Sequence, residues 1–222
     1  MINQFRLILA GILLLMMGVS GPEAADFRSA LAVGHDGGKG WNLSVTAHDF
    51  AAGFPLGARV GLGYSTMDPG NAAEARRIFI NDNQGGTIQK HGSVLQFTLD
   101  MLYPLTSASE IYLYFGPRYA SFTGNYKFIG NNEDFDVTSR LWGIGTGVES
   151  DFSISSKFDL VLSAGTNYFF SSVLYGHDTS YSPSGENINP RRDYSYQDAD
   201  NAVNQPKFEL RLIAGISYHL GK

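Results

Sequence analysis

At 222 residues the chain has room for one domain of ordinary size. It contains no cysteine, which removes disulfide frameworks, thiolate metal sites and cysteine nucleophiles together, and a net charge of -5 offers no basic surface for gathering nucleic-acid phosphates. Aromatic residues make up 13%, with 12 tyrosines and 26 glycines, a usage richer in amphipathic rings and turn-formers than a helical enzyme carries.

Residues 1–25 read MINQFRLILAGILLLMMGVSGPEAA. Arg6 supplies a basic start, 7–19 run apolar, and 20–25 are small residues interrupted by Pro22. This is the layout of a secretory signal peptide, and its apolar run falls short of the ~20 residues that a bilayer-spanning helix needs. Cleavage is expected after Ala24 or Ala25, leaving one domain over 26–222; losing Arg6 and Glu23 together does not change the net charge.

Beyond Phe27 helical periodicity does not persist, whereas alternation of apolar and polar residues recurs. Strands are predicted at 27–34, 41–50, 56–66, 93–103, 110–122, 139–151, 158–172 and 207–220. In the last, Phe208, Leu210, Leu212, Ala214, Ile216, Tyr218 and Leu220 share one parity, against Glu209, Arg211, Gly215, Ser217 and His219. The sixth sets Trp142, Ile144, Thr146 and Val148 against Gly143, Gly145, Gly147, Glu149 and Asp151, and the fourth sets Leu95, Phe97, Leu99, Met101 and Tyr103 against Gln96, Thr98 and Asp100. One face suits lipid and the other suits water or ion pairs. These runs are long for soluble sheets and about right for tilted membrane crossings. Connections alternate between short turns and long loops at 67–92, 123–138 and 173–206, as in outer-membrane barrels with both termini in the periplasm. A soluble lipocalin-like barrel alternates too, but with its apolar parity inward.

This pattern of strands and loops over 27–222 resembles the OmpA and OmpX group of small outer-membrane barrels, although no short motif carries the match. The resemblance implies an all-β, eight-stranded, antiparallel up-and-down transmembrane barrel in the outer membrane of a Gram-negative cell. The chain departs from that group at its end, where Ser217, Tyr218, His219, Leu220, Gly221 and Lys222 stand in place of a terminal aromatic.

On this facing, Arg59, Arg118 and Arg211 point inward together with Asp100, Glu149, Asp151, Asp159 and Glu209. A lumen of eight strands is only wide enough to be filled by side chains, so these charges are expected to pair as a plug. A narrow gated pore, in which such a network rearranges, is the alternative. No catalytic, cofactor or metal site is assigned. The histidines are His35, His48, His91, His177 and His219; the nearest approach to a catalytic set is Gly176, His177, Asp178, Thr179 and Ser180, and consecutive residues rarely converge. Asp198, Asp200 and Asn201, and separately Asn131, Asn132, Glu133, Asp134 and Asp136, carry oxygen ligands but lack the spacing of a calcium loop. Arg140 beside Trp142, and Arg191 and Arg192 beside Tyr194 and Tyr196, are candidates to grip lipopolysaccharide phosphates at the outer rim.

In the loop at 67–92 the apolar trio Ile78, Phe79 and Ile80 suggests a hairpin extended above the membrane and turning at NDNQGG. The loop at 173–206 is too long for a mere connection, and its tyrosines and small polar residues suit an adaptable binding surface. The reading is a monomeric barrel with a structural or adhesive role, in contact with outer-membrane lipid and lipopolysaccharide and with an extracellular ligand held by 173–206. A lipid A-modifying enzyme is the other competing class.

Overall fold

The computed structural model describes residues 26–48, 54–106 and 109–220; the leader read at 1–25 lies outside them. Among the described residues the strands and helices are, in chain order, β1 (Asp26–Asp36), β2 (Lys39–His48), β3 (Gly57–Met67), α1 (Ala72–Phe79), β4 (Thr87–Thr106), β5 (Ser109–Ile129), β6 (Glu133–Ser153), β7 (Phe158–Phe169), β8 (Leu174–Tyr175), β9 (Ser180–Tyr181), α2 (Tyr196–Ala202) and β10 (Phe208–His219). Each long strand pairs antiparallel with its neighbours in the chain, and β1 closes on β10 in the register Leu31↔Ile216 and Ala32↔Gly215. Setting aside the short β8 and β9, this is a closed barrel of eight strands with no exposed edge around its wall.

The parity of every strand decides what surrounds the wall. Leu212 is 60% and Trp142 62% exposed, while Arg211 between its apolar neighbours is 4% exposed. Apolar side chains therefore face outward and charged ones inward, the reverse of a lipocalin. Outward rings form girdles at two levels: Trp41 stacks near Tyr64, and Tyr119 lies between Phe97 and Trp142, while at the opposite end Phe158 meets Tyr218. From Trp142 to Phe152 along β6, at ~3.3 Å per residue and a tilt of roughly 40°, the belt spans about 25 Å, the height of an outer-membrane hydrocarbon layer.

Above the upper girdle β4, β5 and β6 continue well past the predicted boundaries at 93, 122 and 139, and β5 and β6 turn back at Gly130–Asn132, where Gly130 (φ 97°) and Asn132 (φ 58°) both take left-handed backbone. Outward side chains here become polar: Gln89, His91, Asn125, Lys127, Asp134 and Asp136. The inward ones on β5 and β6 stay apolar through Tyr126, Phe128, Phe135 and Val137.

The loop at 67–92 is not the hairpin expected from Ile78, Phe79 and Ile80. It folds instead as α1, because Asn71 caps its N-terminus by accepting from the amides of Ala73 and Glu74, and Ala72, Ala75, Ile78 and Phe79 recur at helical spacing on one buried face. The loop at 173–206 also has regular structure. Its β8 adds to the upper part of β6 (Thr138↔Tyr175, Ser139↔Leu174), and its α2 starts from a capping box between Ser195 and Asp198. The two loops meet where Asn71 N donates to Ala202 O (2.8 Å) and Asn204 N to Pro69 O (2.9 Å). Gly70 (φ 110°) makes this approach possible, since a Cβ there would strike the Ala202 carbonyl. Between the helices and the raised strands lies one apolar core that includes Phe79, Phe122, Tyr126, Phe128, Leu174 and Tyr181.

Candidate functional site

Inside the barrel Asp100 is the hub. Its Oδ2 accepts from Arg59 Nη2 (2.8 Å) and Nε (3.1 Å), and its Oδ1 accepts from Arg118 Nη1 (2.5 Å). Arg59 also pairs with Glu149 and stacks 4.8 Å from the centre of the Tyr114 ring. Arg118 Nε donates to Asn167 (3.0 Å), Asn167 Nδ2 donates to Asp36 (3.0 Å), and Asp36 accepts from Arg211 (2.7 Å). The chain of contacts thus crosses the lumen from wall to wall. Glycines on the facing strands make the room: a Cβ at Gly145 would collide with the Arg118 guanidinium, and one at Gly147 or Gly165 with the Tyr114 hydroxyl.

Towards the periplasmic mouth a second cluster gathers around Arg28, which donates to Asp26 (3.0 Å) and Asp151 (3.1 Å) and lies 3.6 Å from both Asp159 and Glu110. His219 Nε2 is 2.6 Å from Asp159, to which Ser217 also donates (3.3 Å). Between the two clusters a cavity of about 20 Å³ is bordered by Arg28, Asn42, Arg59, Glu149, Asp151 and Arg211, room for a water molecule and not for a solute.

All the charges read as inward thus lie in the lumen, Arg59, Asp100, Arg118, Glu149, Asp159, Glu209 and Arg211 buried and Asp151 nearly so. Glu209 packs against Gly37, while its strand neighbour Arg211 pairs with Asp36. Sequence reasoning missed Arg28, Asp36 and Asn167. Arg28 shares its parity with Ala30 and Ala32, which would have found it, whereas Asp36 fell in what looked like the connection HDGGKG.

Outside the lumen the other candidates separate. His177 and Asp178 are each 80% exposed and 3.7 Å apart, while Ser180 is buried in β9, so these three do not converge. Asp198 caps α2, and Asp200 pairs with Lys207 (2.8 Å) and Gln205 (2.7 Å). Among the described residues no three acidic or histidine side chains are grouped as a metal site requires. Arg191 is turned into the loop layer, paired with Asp82; Arg140 and Arg192 are exposed, Arg140 directly above Trp142 on β6.

The loop layer is tied down by charge as well as by its core. Arg76, buried on α1, lies over the Phe128 ring (3.2 Å), donates to Asn83 O (2.9 Å) and Gly85 O, and pairs with Glu133 (2.7 Å). Burial raises the Glu133 pKa, but the Asn83 and Asn81 amides and Arg76 outweigh it and hold the group below its ordinary 4.5. The hydrogen bond from Lys90, with help from the Gly70 amide, holds Asp68 below its ordinary 3.8. Both carboxylates are more acidic folded than unfolded, so each stabilises the layer above its ordinary pKa and loses that contribution as pH falls through the lower folded value. Acidification below about pH 4 should therefore loosen the loop layer, read as faster pepsin cleavage within 173–206 while the barrel band persists on gels.

No family model and no curated protein matches the chain. Among solved structures it is similar to a major outer membrane protein from Thermus thermophilus, with 29% identity and a TM-score of 0.72 over 89% of this chain and 100% of that one. It also aligns with Neisserial surface protein A (16% identity, TM-score 0.37, 87% of this chain and 93% of that one) and with CarO2 of Acinetobacter baumannii (12%, 0.43, 89% and 100%).

Proposed function

Because the chain is a small eight-stranded barrel of the outer membrane, we propose that it is a closed, monomeric anchor whose folded loop layer binds ligands at the cell surface. The observation that carries this reading is the order of the loops: 67–92 and 173–206 share one apolar core, with helix caps and ion pairs of their own, above a lumen already filled by Asp100 and its partners. A barrel needed only as a pore has no use for both closures. Within the membrane each wall strand is paired on both sides, which leaves no edge there for lateral association with another barrel. On the same reading outer-leaflet lipid and lipopolysaccharide phosphates lie against Arg140, above the Trp142 ring, and against Arg192.

Two measurements on one pair of proteins test this. The purified, folded chain should give no conductance in planar lipid, and excision of 173–206 should abolish attachment of expressing cells to their surface ligand while heat-modifiable migration persists. Steady channel currents, or attachment that survives the excision, would overturn it.

A further inference from the structure

Above the membrane, β8 leaves β6 after pairing with only Thr138 and Ser139, and the next barrel pairing of β6 on that side, with β7, begins lower down at Gly143. The stretch Glu133–Val137 is therefore paired with β5 on one side and, among the described residues, has no strand on the other. Beside it opens a cleft of about 540 Å³, walled by Ile80 at the end of α1 and by Tyr175, Gly176 and His177 where β8 diverges. Gly176 is held in place against the Phe79 ring, so this wall belongs to the packed layer.

The chemistry on the outward face is directional. Asn125 Nδ2 donates to Asp134 Oδ1 (2.9 Å) and to Asp136 Oδ1 (2.8 Å), which sets the two carboxylates side by side. Lys127 approaches Asp134 at 3.5 Å; no cation approaches Asp136 within ion-pair distance among the described residues. Tyr175, 47% exposed, stands on the same face as Thr138, Asp136 and Asp134. An unpaired strand edge recruits another extended chain through its own amides and carbonyls. Carboxylates beside an exposed ring select a cation within that chain.

From these features the geometry points to the cleft as the docking site for an extended peptide that adds to the Glu133–Val137 edge and places a lysine or arginine side chain between Asp136, Asp134 and Tyr175. It rests on the surface-binding reading and gives that reading a place and a ligand class.

The test uses the full chain in lipid nanodiscs and fluorescent short peptides of alternating arginine and valine, with a glutamate-for-arginine counterpart and a version N-methylated along its backbone. The arginine peptide should bind, the glutamate peptide should not, and Asp134→Asn with Asp136→Asn should weaken binding roughly tenfold or more. Asparagine keeps an acceptor for Asn125, so the fold is retained, and gel migration checks this. N-methylation should weaken binding comparably. Absence of binding by the arginine peptide, equal binding by the double variant, or equal binding of the N-methylated peptide overturns the proposal. Cell attachment that needs 173–206 but ignores the double substitution overturns the cleft and leaves the surface-binding reading standing. Attachment that ignores the excision, with peptide binding intact, does the opposite.

Discussion

Asp100→Ala should destabilise the barrel by about 3–5 kcal/mol, the largest loss expected from any single substitution in its wall. One carboxylate accepts from two guanidiniums, and those guanidiniums have side-chain exposures of 4% for Arg59 and 0% for Arg118. With Asp100 present the two cations are balanced by Asp100 and Glu149. Without it, Arg118 keeps only the neutral Asn167 and backbone carbonyls, and one uncompensated positive charge is left where no water can reach it. Denaturant unfolding from lipid vesicles measures the difference, with Asp136→Asn as the surface control expected near zero. Asp100→Asn preserves the shape and loses the charge, so it should fall between. A barrel with Asp100→Ala as stable as the parent would show that the lumen is wet and that its ion pairs are ordinary surface pairs.

The wall was legible in the sequence because a two-residue period admits only two facings, and Phe208, Leu210 and Leu212 against Glu209 and Arg211 settle which residues belong together. Which set faces out required the position of Arg211 at 4% exposure beside Leu212 at 60%. The lumen partners were legible by type but not by pairing. Arg59 and Asp100 lie directly opposite in the β3–β4 register, but Glu149 reaches Arg59 across the barrel, and no linear pattern encodes a contact through the lumen. The loop layer was the least legible part. Asn71 followed by Ala72, Ala73, Glu74 and Ala75 is a helix start that strand periodicity elsewhere obscured, so Ile78 and Phe79 looked like a β run. The tyrosines of 173–206 looked like exposed contact residues, yet Tyr181 is buried and donates to Ile78 O (3.2 Å). A ring that suits a binding surface also suits a small core, and only the neighbour it meets decides between them.

That neighbour gives the second expectation. Phe79 is 4% exposed and meets the Tyr181 ring edge-on at 5.4 Å, with Gly176 packed against its other side. Phe79→Ala should cost about 3–5 kcal/mol. The loss should fall on the loop layer alone, since the lumen network contacts neither ring. Opening of that layer then becomes more frequent by a factor of roughly 10²–10⁴, and cleavage that samples the open form rises in proportion. Trypsin has paired sites at Arg191 and Arg192, and Arg191 is anchored to Asp82 only while the layer is closed. The variant should therefore be cut there far faster than the parent, with the heat-modifiable barrel band unchanged. Surface attachment should fall along with it, although every residue of 173–206 is still present, because binding requires the loop to be folded and not merely exposed. If cleavage stays at the parental rate, the layer does not open as a unit around Phe79; if the barrel band is lost as well, layer and wall are one cooperative structure and the loops are not an independent platform.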